Sequence, residues 1–155
     1  MTVFTAAEAL EMAMEIEKNG EIFYNEVAAK SADLEVKELF EYLAAQEQGH
    51  YRVFQQMLGD ASPTPGPPAA EYDQYEAYLQ IALENALFAG PDKALMLAKQ
   101  AQDRETALRA AMGFEKDTLL FFYDLREMVN EPDRETISAV IREEKKHLRR
   151  LAGML

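Results

Sequence analysis

The sequence has 155 residues, enough for one domain with a substantial core, and its 48% apolar and 28% charged residues are typical of a folded globular protein. A formal net charge of −12 argues against a nucleic-acid partner, because phosphate binding requires a basic surface. The sequence contains no cysteine, which excludes disulfides, thiolate metal sites and a cysteine nucleophile.

Nothing in the sequence pattern indicates a membrane or export. No apolar run approaches the roughly 20 residues that span a bilayer. The first five residues lack the basic and apolar regions of a signal peptide, so we expect a cytoplasmic protein.

The first long helix is predicted to begin after Thr5 and to run to about Lys30. Thr5 is placed to cap it, and Glu8 can complete a capping box. Steps of three and four residues define one buried seam, on which Glu17 occupies a position that the period requires to be buried. The seam consists of Leu10, Ala13, Glu17, Gly20, Tyr24 and Val27.

The second helix is predicted from about Asp33 to just before Gly59. Glu47 and His50 lie at the centre of its apolar seam, three residues apart and therefore on one face. The sequence has only two histidines, and each follows a Glu at this spacing. The seam consists of Val36, Phe40, Leu43, Glu47, His50, Phe54 and Met57.

A long connection joins the two halves of the chain. A cluster of prolines over 60–70 prevents a helix there and predicts extended chain. A helix with a Tyr, Leu and Ile face is predicted over 71–89, closed by Gly90 and Pro91, and a shorter one over 92–102. A connection with helices of its own is typical of a crossover between two antiparallel hairpins.

A third long helix is predicted over about 103–129. It repeats the design of the first, because Glu115 lies on its seam as Glu17 does on the earlier one. The seam consists of Leu108, Ala111, Glu115, Thr118, Phe122, Leu125 and Val129.

A fourth long helix is predicted with Pro132 in its first turn and its end near residue 152. Glu144 and His147 repeat the Glu-x-x-His pattern in the phase of the second helix. All four long helices thus place acidic or imidazole side chains near mid-length on an apolar seam. The fourth seam consists of Ile137, Val140, Glu144, His147, Leu151 and Met154.

These patterns predict one all-α domain over 1–155, a four-helix bundle of two antiparallel hairpins. The first hairpin spans about 5–58, the partly helical crossover 59–102, and the second hairpin about 103–155. Four carboxylates and two imidazoles are then expected at one level of the core.

Acidic side chains gathered in a core require cations, because an isolated buried carboxylate or imidazolium is strongly unfavourable. Two divalent cations balance four carboxylate charges, and neutral imidazoles complete the shells. Oxygen and nitrogen ligands without sulfur suit iron or manganese. Known di-iron and di-manganese carboxylate bundles use this same set of ligands.

The sequence resembles the rubrerythrin branch of the ferritin-like superfamily over both hairpins, though not over any electron-transfer tail. The resemblance implies a ferritin-like bundle that holds two iron ions per chain as a di-iron centre, with manganese as the alternative metal. The residues that carry it are Glu17-Lys18 before Phe23-Tyr24, Glu47 with His50, Glu115-Lys116-Asp117 before Phe121-Phe122, and Glu144 with His147.

The resemblance also implies a role for each ligand. Tyr24, on the seam of the first helix, is expected to hydrogen-bond a ligand carboxylate from the second shell. The ligand roles are bridging carboxylates for Glu47 and Glu144, terminal carboxylates for Glu17 and Glu115, and one nitrogen per metal from His50 and His147.

Two features depart from the rubrerythrin pattern. Rubrerythrins carry a Cys-x-x-Cys iron site that this sequence lacks, so we expect reducing electrons from an external donor such as a rubredoxin-type protein. They also carry an extra carboxylate one turn after the terminal Glu of the third helix. Thr118 occupies that place here, with Asp117 nearby but off the seam, and Glu21 on the first helix is a candidate substitute ligand.

The leading functional hypothesis is a redox enzyme that reduces hydrogen peroxide at a di-iron centre, in defence against oxidative stress. The alternative is a ferroxidase that oxidises Fe²⁺ with dioxygen and passes the iron on. A di-manganese catalase and a non-enzymatic helical bundle stabilised by metal are lesser alternatives. A homodimer that exchanges a hairpin between chains is compatible with the long crossover.

Overall fold

Five α-helices form the described part of the chain, which contains no strand. The computed structural model describes residues 5–60, 77 and 90–155. None of the described helices is long and apolar enough to cross a membrane. The helices are α1 (Ala6–Lys30), α2 (Leu34–Asp60), α3 (Pro91–Gln100), α4 (Arg104–Met128) and α5 (Asp133–Gly153).

Capping residues set where the helices begin. The Thr5 hydroxyl accepts from the Glu8 amide at 3.2 Å and the Glu8 carboxylate accepts from the Thr5 amide at 2.8 Å, which is the predicted capping box. Asp103 caps α4 by accepting from the Thr106 amide at 2.8 Å. Pro132 is the N-cap of α5, so the prediction that it lies in the first turn was wrong by one position.

The second helix extends beyond its predicted end. It continues through Gly59 to Asp60, because a helical glycine costs only about 1 kcal/mol relative to alanine, which packing elsewhere on the helix outweighs. The predicted helix over 92–102 begins at Pro91 and ends at Gln100. Apart from Ala77, which is helical, the predicted proline-rich connection beyond Asp60 and the predicted helix over 71–89 lie outside the described residues.

The long helices pair as the two predicted hairpins. α1 packs along α2, and α4 packs along α5, while α1 also contacts α4 and α2 contacts α5. α3 packs mainly against α1. Every predicted seam residue is buried except the last, Met154, which is half-buried. The bundle therefore turns its four seams inward, as amphipathic helices require.

Arg104 joins three parts of the chain at one end of the bundle. Its Nη1 donates to Asp33 Oδ2 at 2.9 Å, next to the start of α2. Its Nε and Nη2 donate to the carbonyl of Met154, at the end of α5, at 3.3 and 3.2 Å. The guanidinium lowers the pKa of the Asp33 carboxyl. This contact holds the first hairpin's turn against the start and end of the second hairpin.

Gly20 allows α1 and α4 to approach each other closely. A Cβ at this position would lie 2.7 Å from the ring of Phe114 and 3.2 Å from Glu47 Oε2. The ring is itself buried in the core. The absence of a side chain at position 20 therefore sets the spacing between the hairpins next to Glu47.

We expect Gly20→Ala to destabilise the protein by about 1 to 2 kcal/mol, because overpacking outweighs the gain in helix propensity. Urea unfolding followed by circular dichroism measures the change. Gly113→Ala is the matched control, since nothing lies within 4 Å of a Cβ there, and it should stabilise the protein by up to about 1 kcal/mol. Equal effects of the two substitutions would contradict the close packing at Gly20.

Candidate metal centre

Six buried side chains meet where the four seams converge, near mid-length of the long helices. All four carboxylates are completely buried, and the two imidazoles are 4% and 2% exposed. Their potential ligand atoms form two overlapping groups, and within each group these atoms lie within 4.8 Å of one another. The first group is Glu17, Glu47, His50 and Glu144, and the second is Glu47, Glu115, Glu144 and His147.

Two of these residues belong to both groups, Glu47 and Glu144. A carboxylate has two oxygens and can bind a cation with each, so shared carboxylates are what two neighbouring cations require as bridges. Each group then adds one carboxylate and one imidazole of its own. The structure therefore brings together all six side chains that the sequence predicted as ligands.

Most of the carboxylate oxygens in this cluster have no hydrogen-bond partner among the residues that the structure describes. Both oxygens of Glu17 and of Glu47, and one each of Glu115 and Glu144, are buried without one. His50 Nδ1 lies only 2.8 Å from Glu144 Oε1, yet both atoms lack a partner with hydrogen-bond geometry.

Buried oxygens without partners are rare in proteins, because each is strongly unfavourable. Here they lie close to one another without being aligned as donor and acceptor. Lone pairs that face a common interior point are what a bound cation needs, and the donor set of carboxylate oxygens and imidazole nitrogens fits iron or manganese. The residues present therefore fit a metal centre.

The charges of the cluster are in conflict without cations. Burial raises the pKa of Glu17, Glu47 and Glu115 well above the usual value, and the negative charge of Glu144 raises it further. Burial also disfavours charge on Glu144, but His147 and His50 outweigh it and lower the pKa of that carboxyl. The metal-free cluster thus retains protons that cations would displace.

His50 lies between the cluster and the surface. Burial lowers its pKa, but Glu144, Glu47 and Glu143 outweigh this effect and raise the pKa to about 10. Its Nδ1 faces the cluster, 2.8 Å from Glu144 Oε1, and its Nε2 lies 2.7 Å from Glu143 Oε2. Because a carboxylate only accepts, Nε2 carries the proton of that bond.

Sequence reasoning missed Glu143. This residue is 48% exposed and lies next to Glu144 on the flank of α5, where its position is indistinguishable from that of a solvated surface acid. No periodicity marks it, because its role depends on how near α2 lies to α5. An acid immediately before a Glu-x-x-His pattern was the only available signal.

Tyr24 links the first hairpin to the second. Its hydroxyl donates to Glu115 Oε1 at 2.6 Å, and its ring packs edge-on against Phe40 and Phe114. Burial raises the pKa of Tyr24, and the negative charge of Glu115 raises it further, so the hydroxyl keeps its proton as a donor. The acceptor is on the opposite hairpin and not on Glu17 of its own seam.

Comparison with known proteins identifies the family. The family model for rubrerythrin matches residues 8–155. The chain belongs to the rubrerythrin family. Among solved structures, it is similar to a Thermotoga maritima protein assigned to the ferritin-like diiron-carboxylate proteins, at 25% identity and a TM-score of 0.69, over 99% of this chain and 96% of that one. A search of curated proteins gives no match.

Membership of the rubrerythrin family confirms the resemblance and the ferritin-like fold class that the sequence predicted. The cluster of carboxylates and histidines is the candidate metal site of this rubrerythrin-type chain. The role of each residue as a ligand stays a prediction.

Three other residues bear on whether the cluster has an additional carboxylate ligand. Thr118 is completely buried on the seam, and its hydroxyl has no hydrogen-bond partner in the described part of the chain. Asp117 is half-buried beside it and outside both groups, and burial raises the pKa of its carboxyl. Glu21 lies 3.3 Å from Lys18 Nζ, and the structure does not bring it into either group of candidate ligands.

We expect the metal-free protein to lose stability as the pH rises from about 5 to 8. The folded state holds protons on Glu17, Glu47 and Glu115 that the unfolded chain releases above its usual pKa of 4.5. The stability that protonated His50 contributes is complete below about 6.5 and is lost as the pH rises through about 10. Each such proton makes the free energy of unfolding fall by about 1.4 kcal/mol per pH unit.

Thermal unfolding in the presence of a chelator measures this dependence. Glu47→Gln should make it shallower by about one proton, whereas the exposed control Glu38→Gln should leave it unchanged. Adding a divalent cation should raise the melting temperature of the wild type most at the higher pH. A stability that rises with pH over this range would contradict the assignment of buried protons.

Proposed function

We propose that this rubrerythrin-family protein reduces hydrogen peroxide at a di-iron centre, with electrons from an external donor. Glu47 and Glu144 would bridge the two irons, and each iron would also take one terminal carboxylate and one imidazole nitrogen. The observation that supports this most directly is the pair of four-residue groups that share two carboxylates.

The charge balance supports two cations. Four carboxylates carry a charge of −4 when ionised, and two divalent cations neutralise it. One cation would leave two carboxylate charges buried without compensation. The absence of sulfur among the candidate ligands argues against copper(I) and structural zinc, and the rubrerythrin family favours iron over manganese.

Two ferrous ions held by these residues would supply one electron each, which with two protons is what the reduction of hydrogen peroxide to two molecules of water requires. The chain itself provides a cluster from which water is excluded, because none of its four carboxylates is exposed. Tyr24 restrains Glu115 through the hydrogen bond at 2.6 Å. Glu143 holds a proton on His50 Nε2, so that Nδ1 is the nitrogen that would bind metal.

A ferroxidase is the second candidate, and Thr118 is the observation that favours it. The extra carboxylate that the rubrerythrin pattern has at this position is replaced by a hydroxyl that has no hydrogen-bond partner within the described ranges. A centre without that carboxylate would oxidise Fe²⁺ with dioxygen and release the product. The external donor, the homodimer and the cytoplasmic location stay predictions.

The decisive test compares the two oxidants. The protein is loaded anaerobically with two equivalents of Fe²⁺ and mixed rapidly with hydrogen peroxide or with dioxygen, and oxidation is followed in the near-ultraviolet. We expect oxidation at least tenfold faster with peroxide. Faster oxidation with dioxygen that continues beyond two irons per chain would instead support the ferroxidase.

Variants connect the reaction to the cluster. Glu144→Ala should lose bound iron and fast oxidation together, because it removes a bridge from both metals. Glu38→Ala, an exposed acid on α2, should retain both. A protein that holds two irons but reacts with neither oxidant would leave only the structural role, and oxygen release from peroxide by the manganese-loaded protein would support a catalase.

A further inference from the structure

The two halves of the cluster differ in what surrounds them. Because Glu47 and Glu144 belong to both groups, any difference between the two metal positions must come from the residues that they do not share. We call the positions by those residues: the Glu17–His50 position and the Glu115–His147 position.

The imidazoles differ in their outer partners. His50 donates its Nε2 proton to the Glu143 carboxylate at 2.7 Å. No described residue gives His147 Nε2 a carboxylate partner, and its ring instead meets the edge of Tyr42 at 6.2 Å between centroids. The Arg150 guanidinium lies 4.5 Å above the same Tyr42 ring.

The sequence repeat shows the same difference. Glu143 immediately precedes Glu144, and the residue that immediately precedes Glu47 is Gln46. The position that carries a negative charge in the second copy of the pattern is therefore a neutral amide in the first. A carboxylate on the outer nitrogen of an imidazole makes its inner nitrogen a better metal ligand.

The terminal carboxylates differ as well. Neither oxygen of Glu17 has a hydrogen-bond partner among the described residues, so both are available to a cation. Glu115 accepts the Tyr24 hydroxyl on Oε1 and has only Oε2 without a partner. The hydrogen bond withdraws charge from the carboxylate and occupies one of its lone pairs.

We propose that the two metal positions are inequivalent and fill in order, the Glu17–His50 position first and the Glu115–His147 position second. Both differences act in this direction, since His50 has a carboxylate on its outer nitrogen and Glu17 lacks the hydrogen bond that Tyr24 makes to Glu115. A proton competes with the cation for His50 Nδ1, but a divalent ion carries twice its charge in the same field of carboxylates. This inference rests on the metal centre proposed above.

Glu143 and Tyr24 both act as positioning residues, Glu143 at the Glu17–His50 position and Tyr24 at the Glu115–His147 position. Glu143 orients His50 and increases its affinity for metal. Tyr24 restrains Glu115 and lowers its charge. The weaker position is then the one from which a metal leaves first.

Titration of the chelator-treated full chain with Co²⁺ tests this order without any reaction. Binding is measured by calorimetry and by the visible absorption of Co²⁺ at a fixed pH of about 7.5. We expect two binding steps of distinct affinity. Glu143→Gln should weaken the tighter step by about tenfold and leave the weaker step unchanged.

Two further variants assign the steps. His50→Ala should abolish the tighter step, and Tyr24→Phe should alter only the weaker one. Glu135→Gln is the matched control for Glu143→Gln, because this acid lies on the same helix, is 72% exposed and pairs with Arg142. It should change neither step.

The titration distinguishes a failure of the proposed filling order from a failure of the proposed metal centre. Two Co²⁺ ions bound with equal affinity, or a Glu143→Gln effect on the weaker step, would overturn the inequivalence and leave the metal centre intact. A wild-type protein that binds no Co²⁺ would overturn the metal centre itself.

Discussion

Four carboxylates buried at one level of the core are the constraint on which the rest of this structure depends. The apolar seams, the close approach at Gly20 and the bond from Tyr24 to Glu115 all hold these groups where water cannot solvate them. Such an arrangement opposes folding unless the charge is compensated by protons or by cations. The same oxygens that lack hydrogen bonds in the protein are those that a cation would use. The buried carboxylate oxygens that destabilise the bundle would thus be the ones that favour the binding of metal.

Buried carboxylates that oppose folding say more about the function of this bundle than any single sequence motif does. Apolar residues at the positions of Glu17, Glu47, Glu115 and Glu144 would give a more stable bundle. The chain instead places an acid on each of its four long helices and surrounds the cluster with large apolar side chains. The family to which the chain belongs supplies the same interpretation independently. Stability has been given up at these positions, which the proposed binding of metal ions would explain.

The sequence predicted most of the fold and the six clustered residues, because helical periodicity alone decides which face each residue occupies. Glu47 and His50 could be placed on one face, and that face placed inward, from spacing and apolar neighbours. Contacts between helices could not be predicted in this way. Tyr24 was expected to bond a carboxylate, but that its acceptor is on the other hairpin depends on the distance between α1 and α4. Glu143 was missed for the same reason, because its contact with His50 depends on how closely α2 and α5 approach.

The placement of these ligands on four different helices has a consequence for kinetics. Each cation held by this cluster would contact three of the four long helices, the pair would contact all four, and no carboxylate of the cluster is exposed. We expect such an ion to leave when the helices part, because its ligands are buried and lie on three of them. The same opening admits solvent to backbone amides in the middle of the helices, where hydrogen exchange reports it. The dissociation of the metal and the hydrogen exchange of these amides would then be limited by the same rate, the rate at which the helices separate.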